Sequence, residues 1–280
     1  MSLWCDEVND HVSRFGLKIH KTLFHTRSPF QDILVVETDL LGRALMLDGM
    51  WMTAEGDEKS YHEMLVHPAL CTAPHIARIL VIGGGDGGTV REVLKYPEVQ
   101  QVDLVEIDEL VVQACQQHLP SIGTAWHDPR LTLTIADGIE WVKTTKPGTY
   151  DIILVDGSDP KGPAVGLFDH AFYEACARAL TPHGIFVSQA ESPVLMQDVH
   201  IDMVQALQKA FGHAYPYYGT VMIYPGGLWS WIYAARTTQP TDLKAERVAR
   251  ITETTEIWNK AIHHGAFAVP NRLQQALQRS

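Results

Sequence analysis

Positive charge is scarce in this chain, and cysteine scarcer. Among 280 residues, 22 Lys and Arg stand against 33 Asp and Glu, leaving a formal charge of −11, and there are four cysteines. Nucleic-acid-binding proteins neutralise phosphates with clustered basic residues, and no such patch with interleaved aromatics is present, so no nucleic-acid partner is expected. The negative field favours cations instead. Cys5, Cys71, Cys115 and Cys176 contain no C-x-x-C pair. That excludes a zinc ribbon and a thioredoxin-like centre and leaves free, mostly packed thiols in a reducing compartment. No apolar run reaches the roughly 18 residues of a membrane helix. Met1 to Asp10 is acidic and broken, unlike a secretory signal. The expected setting is cytoplasmic, with no membrane partner.

What is present is ordinary globular usage, 46% hydrophobic and 20% charged, enough for one large domain and a small one. The division is expected near residue 72. Within 1–72, Gln31 to Thr38 and Arg43 to Leu47 are short alternating segments separated by Leu41-Gly42 and Asp48-Gly49, the pattern of an antiparallel β unit. Glu58 to Leu70 reads as a helix. So small a unit cannot bury both faces alone and must pack on the main domain or on another subunit.

Residues 73–280 alternate strand and helix. Arg78 to Ile82 is a buried-type strand, Gly83-Gly84-Gly85-Asp86-Gly87-Gly88 follows, and Thr89 to Tyr96 reads as a helix stopped by Pro97. Gly83, Gly85 and Gly88 fit G-x-G-x-x-G, whose glycines serve a tight turn, close backbone approach to a ligand, and helix–strand packing. The next strand, Val102 to Val105, ends at Glu106, about twenty residues on, where a ribose-hydroxyl acceptor belongs. Asp86 separates the nucleotide classes: inside the loop it repels a pyrophosphate and attracts a sulfonium. Leu131 to Ala136 ends in Asp137-Gly138, an acid suited to an adenine amino group. Ile152 to Val155 runs into Asp156-Gly157-Ser158-Asp159-Pro160, two carboxylates at the strand edge where ligands sit in open α/β sheets. Such a pair suits an amine or a metal ion better than a phosphate.

Phe168 to Leu180 and Ile201 to Phe211 are amphipathic helices around a strand at Gly184 to Ser188. Tyr217 to Ile223 and Trp229 to Ala235 read as a closing antiparallel hairpin, and Asn271 as the cap of a last helix. The expected fold is α/β: a methyltransferase-like Rossmann sheet of seven strands with an antiparallel last hairpin, preceded by the small β domain and followed by a helical tail. Plainer readings stand beside the functional ones. Asp156 and Asp159 could cap a turn. Glu191 could line a pocket or be solvated, and Trp229 and Trp231 read as sheet packing. His62 and His67 are five apart, not the four that put two ligands on one helical face, so they read as helix-surface or pocket-lining residues and no metal is expected.

Taken together, the Gly83–Gly88 loop, Glu106-Ile107-Asp108, Asp137-Gly138, Asp156-x-x-Asp159-Pro160-x-Gly162-Pro163-Ala164, Tyr61-His62-Glu63-Met64 and Tyr224-Pro225-x-Gly227 resemble the polyamine aminopropyltransferases, closest to spermidine synthases. The likeness runs from Phe30-Gln31-Asp32-Ile33 and Leu47-Asp48-Gly49 through Asp57-Glu58 to Ala266-Phe267-Ala268-Val269-Pro270. It implies transfer of the aminopropyl group of decarboxylated S-adenosylmethionine to putrescine, with no cofactor. Glu106 then holds the ribose, Asp137 the adenine, and Asp86 the aminopropyl arm, with Gln31, Gly83, Gly85 and Gly138 on the nucleoside side. Asp156 is the implied base, assisted by Tyr61. His62, Asp159 and Tyr224 shape the amine pocket, and Ser158, Pro160, Gly162 and Pro163 belong to a gatekeeping loop. Relatives assemble as homodimers or homotetramers through the N-terminal region. Gly56, Gly157, Ile223 and Gly226 depart from the family pattern, and the last three bear on the amine pocket. Cadaverine, agmatine and spermidine remain alternative acceptors. A methyltransferase using ordinary S-adenosylmethionine is disfavoured, because its carboxylate would meet Asp86.

Overall fold

Alternating and continuous apolar segments separate the chain into two sheets. The structure, a computed structural model, describes residues 3–9, 13–158 and 166–279. Five antiparallel strands, β1 (Leu3–Asn9), β2 (Ser13–Arg27), β3 (Asp32–Thr38), β4 (Gly42–Leu47) and β5 (Met50–Ala54), pair in chain order. The sequence reading missed β1: its mixed polar residues form an edge strand that leaves Leu3, Trp4 and Val8 exposed. Alternation along β3 and β4 sends Ile33, Val35, Leu45 and Leu47 into a cluster with Val111, Ala114 and Cys115 of α3 (Glu109–His118). Val36, Ala44 and Met46 pack with α1 (Glu58–Leu70) instead. Within this chain the small sheet is therefore packed against the main domain. Gly56 turns tightly over Leu41, whose Cα would lie 3.0 Å from an added Cβ, which accounts for the missing side chain.

The second sheet has seven strands: β6 (Arg78–Gly83), β7 (Gln101–Glu106), β8 (Leu131–Ile135), β9 (Tyr150–Asp156), β10 (Leu180–Gln189), β11 (His213–Thr220) and β12 (Leu228–Ala235), in the order β11-β12-β10-β9-β6-β7-β8. β12 is antiparallel to both β10 and β11, and the other pairings are parallel. This is the sheet expected from the sequence. After β6 the chain builds outward through β7 and β8, then returns to β9 on the other side. The carboxyl ends of β6 and β9 are thus the switch point, with Gly83 opposite Asp156.

Around it run α2 (Gly88–Leu94), α4 (Gly138–Thr144), α5 (His170–Ala179), α6 (Gln197–Phe211) and three tail helices, α7 (Ala245–Thr252), α8 (Lys260–Ala266) and α9 (Asn271–Arg279). Asn271 is the first residue of α9 rather than its cap, and the capping asparagine is Asn259, whose Oδ1 accepts from Ala261 and Ile262 N–H ahead of α8. α1 has no apolar stripe because it is buried on nearly every side. Its charged residues survive there only because each is partnered.

Candidate active site

The glycine loop opens the site. Gly83 sits at φ 77°, and a Cβ there would lie 2.2 Å from the Asp156 carbonyl oxygen, so only glycine lets β6 and β9 close at the switch point. At Gly88 a Cβ would lie 2.3 Å from Cε1 of His62. The helix start is therefore the seat of that imidazole.

One cleft is lined by every described residue assigned to the site from the sequence: Gln31, Tyr61, His62, Gly83, Gly85, Asp86, Glu106, Asp137, Gly138, Asp156, Ser158 and Tyr224. Asp159, Pro160, Gly162 and Pro163 lie outside the described residues. At the end of the cleft beside β7, Glu106 accepts from Asp108 N–H at 2.9 Å through Oε1 and turns Oε2 toward Gly85. Burial, then the Asp108 carboxylate, pushes Glu106 up to about 7. Asp108 is itself fixed by Ser28 Oγ at 2.6 Å and Gln31 Nε2 at 3.0 Å, so Gln31 acts on the pocket partly through Asp108. Asp137 lines the cleft and also caps α4, its Oδ1 accepting from Ile139 and Glu140 N–H. The cap leaves Asp137 lining the cleft.

At the other end, Asp86 and Asp156 converge on His62. Nε2 of His62 lies 3.3 Å from Asp86 Oδ2 and 4.0 Å from Asp156 Oδ2, while Nδ1 is 2.6 Å from Glu58 Oε2. Asp156 accepts from Thr89 Oγ1 at 2.6 Å and from the Tyr61 hydroxyl. Burial raises the proton affinity of Asp156, and the neighbouring Asp86 adds to it against the opposing pull of His62. Burial works the same way on Asp86, but there His62 and Gly88 N–H outweigh it and hold the group below its ordinary value. Two carboxylates in one site are thus pushed apart, the arrangement that separates a base from a charge anchor. Burial and the Asp156 charge raise Tyr61 well above an ordinary phenol, so Tyr61 serves as a hydrogen-bond donor.

A second lobe continues from the first past Tyr61, Gly157, Ser158 and Tyr224. Glu7 and Glu191 line it, 4% and 1% exposed, with Trp51, Gln189 and Trp229. Glu191 is thereby a pocket residue. It sits at φ 63° and is braced by Gln189 through two hydrogen bonds. Trp231 is sheet packing as expected, stacked on Tyr217, whereas Trp229 lies against Tyr224 at 4.4 Å between ring centroids. Nothing in the sequence signalled Glu7, because it rides on the edge strand that pattern reasoning missed. Two of the departures matter less than their positions suggested: Ile223 is 1% exposed in the core, and a Cβ at Gly157 would press on the flexible end of Leu167 and touch Val155 at ordinary contact distance.

His62, Asp86 and Asp156 offer ligand atoms within 4.8 Å of one another, a spacing compatible with a metal ion. The ring does not fit that role. Both its nitrogens face carboxylates, and although burial opposes the charge, Asp86 and Glu58 raise it well above an ordinary histidine. A doubly protonated ring has no lone pair to give. His67 is not on the surface either: it is fully buried between Glu92 and Tyr96.

Known proteins resemble this chain over nearly its whole length. Residues 58–245 match the spermine/spermidine synthase domain, and residues 3–55 the spermidine synthase tetramerisation domain. The chain is 49% identical over 280 residues to a polyamine aminopropyltransferase of Prochlorococcus marinus (strain MIT 9313), covering 98% of this chain and 96% of the relative. It is 47% identical over 277 residues to that of strain NATL1A, with the same coverage. A crystal structure of a spermidine synthase in complex with the transition state analogue AdoDATO superposes with a TM-score of 0.96 at 34% identity, over 99% of this chain and 96% of that one. The spermidine synthase of Thermotoga maritima gives 0.94 at 34% identity, over 99% and 95%. With both family matches in chain order and relatives alike over nearly their whole length, this chain belongs to the polyamine aminopropyltransferases, the spermine/spermidine synthase family.

Proposed function

We propose that the enzyme is a spermidine synthase, transferring the aminopropyl group of decarboxylated S-adenosylmethionine to putrescine. The observation that carries this reading is the two-lobed cleft, with Asp86 and Asp156 in the first lobe and Glu7 and Glu191 lining the second. A diammonium acceptor needs an anion at each end, and the slot supplies them. The nitrogen lone pair attacks the methylene next to the sulfonium, the C–S bond breaks, and methylthioadenosine leaves with that electron pair. Before attack the acceptor must lose one proton, and Asp156 takes it in this reading, with Tyr61 and Thr89 fixing its orientation. Asp86 holds the aminopropyl ammonium. Burial of both carboxylates strengthens their hold on a cation, and near-attack positioning supplies up to about 7–11 kcal/mol in ideal cases. Because His62 is spent on carboxylates, we propose that the reaction runs without a metal.

The donor lobe carries a pH signature. Glu106 is held up to about 7 in the free enzyme, and two ribose hydroxyls are best received by its ionised form. The carboxylate form must be drawn out on binding, so affinity is weakest below that value and increases as pH rises through it. Methylthioadenosine should bind about tenfold more tightly at pH 8 than at pH 6, the range over which such a group ionises. In Glu106→Gln that slope should vanish. A wild-type dissociation constant that is flat in calorimetry across this range would remove Glu106 from the ribose site.

An acceptor panel with decarboxylated S-adenosylmethionine, read by product mass, tests the reaction as a whole. Putrescine should give the highest kcat/KM, and a clear preference for cadaverine, agmatine or spermidine would reassign the acceptor. Ordinary S-adenosylmethionine should raise the melting temperature less than its decarboxylated form, since its carboxylate opposes Asp86. We further propose a homo-oligomer joined through the N-terminal sheet, where β1 exposes Leu3 and Trp4 at 55% and 59%. Light scattering that finds only monomer would overturn that part.

A further inference from the structure

The pair Asp57-Glu58 belongs to the motif but touches neither lobe's reacting groups directly, and Glu58 is 3% exposed on its side chain. Arg91 of α2 grips both its oxygens, Nη1 to Oε1 at 2.9 Å and Nη2 to Oε2 at 2.8 Å. Arg91 is in turn fixed by the Ile122 carbonyl at 2.8 Å and by Glu92 at 2.8 Å. A carboxylate held bidentately by guanidinium is ionised and can only accept. Nδ1 of His62, 2.6 Å from Oε2, must therefore carry hydrogen. Among the described residues the other nitrogen faces the carboxylates of Asp86 and Asp156, and Gly88 beneath the ring leaves no room for a side chain that would displace it.

We propose that Glu58, clamped by Arg91, is a positioning residue that keeps His62 an imidazolium between Asp86 and Asp156, so that Asp156 stays ionised as the base. This rests on the reading of Asp156 given above. The charged and titratable groups around the ring are Asp57, Glu58 and Tyr61 on or before α1, Asp86 in the glycine loop, Arg91 on α2 and Asp156 at the end of β9. Four of these are acids, and two of them, Asp86 and Asp156, share the pocket. Like charges so close cannot both stay ionised without a cation between them, and the pair then takes up a proton itself. That proton would occupy the base.

Glu58→Gln keeps the shape and removes the charge. The acidic limb of its kcat–pH profile should move to higher pH by about one unit or more, with the rate recovering toward wild type at the alkaline end. Arg91→Lys, which keeps a cation beside Glu58, should leave the limb near its wild-type position. Ring 15N shifts of His62, assigned against His62→Gln, should report an imidazolium at pH 8 in the wild type and a neutral ring in Glu58→Gln. A merely structural role would lower the rate at every pH without moving the limb, and that result overturns the proposal. So does a neutral His62 in the wild-type enzyme at pH 7, a measurement that needs no variant to fold. The ring spectra do not depend on the acceptor, so failure of putrescine in the panel and failure of the role given to Glu58 are separate results.

Discussion

Asp156→Asn should lower turnover roughly 10²–10⁴-fold, the range for loss of a general base, while methylthioadenosine affinity stays near wild type. The side chains are nearly isosteric, and Asn can still accept from Thr89, whose hydroxyl is 2.6 Å from Oδ2. The backbone joint is untouched, because Gly84 N–H bonds to the residue's carbonyl at 2.9 Å and not to its side chain. What disappears is a carboxylate whose proton affinity burial and Asp86 have raised, toward the range useful to a base working on an ammonium. The deficit should shrink as pH rises, since more of the acceptor is then neutral and needs no base. Turnover measured against putrescine across a pH series, at saturating donor, decides it. A variant running near the wild-type rate at neutral pH would pass the role to a bound water. Tyr61 is a poor substitute, since burial holds its phenol in the protonated form.

Much of this was legible in the sequence because the informative residues sit where periodicity breaks. Strand β9 ends at Asp156 and β7 at Glu106, the acids that close the apolar runs Ile152 to Val155 and Leu104 to Val105, and both lie at the carboxyl edge where ligands sit in open α/β sheets. The G-x-G-x-x-G spacing located β6 and α2 for the same reason. The second lobe was less visible. Glu7 comes from an edge strand without a clean alternation, and Glu191 depends on a left-handed backbone that no pattern encodes. Buried charges on α1 were hidden as well: a helix enclosed on nearly all sides has no polar face, so Glu58 and Glu63 stood only as motif residues and His67 as a helix-surface or pocket-lining one until Arg91, the chain near Trp258, and Glu92 appeared beside them.

Glu63 makes the point most strongly, and its substitution should be the most destabilising of those considered. The residue next to His62 is fully buried, and its carboxylate accepts three successive backbone N–H groups, from Glu256 at 2.9 Å, Ile257 at 2.8 Å and Trp258 at 2.7 Å. Consecutive amides converging on one anion form a nest, here used to dock the C-terminal segment onto α1. Trp258, 1% exposed, then packs on His67. Removing the acceptor strands these donors, at about 1–3 kcal/mol for each that water cannot reach. Glu63→Gln is the sharper variant than Glu63→Ala, since its amide keeps the volume but turns N–H groups toward other N–H groups. A loss of at least about 3 kcal/mol is expected, with a melting temperature lower by roughly 6–12 °C for a chain of this size. Below the transition, methylthioadenosine should bind as in the wild type, because none of Glu63's partners lines either lobe. Urea and thermal unfolding, with calorimetry on the folded variant, separate the two effects. A stability loss under about 1 kcal/mol would mean that water or a rearranged tail satisfies the three amides, and that the nest does not hold the C-terminal segment in place.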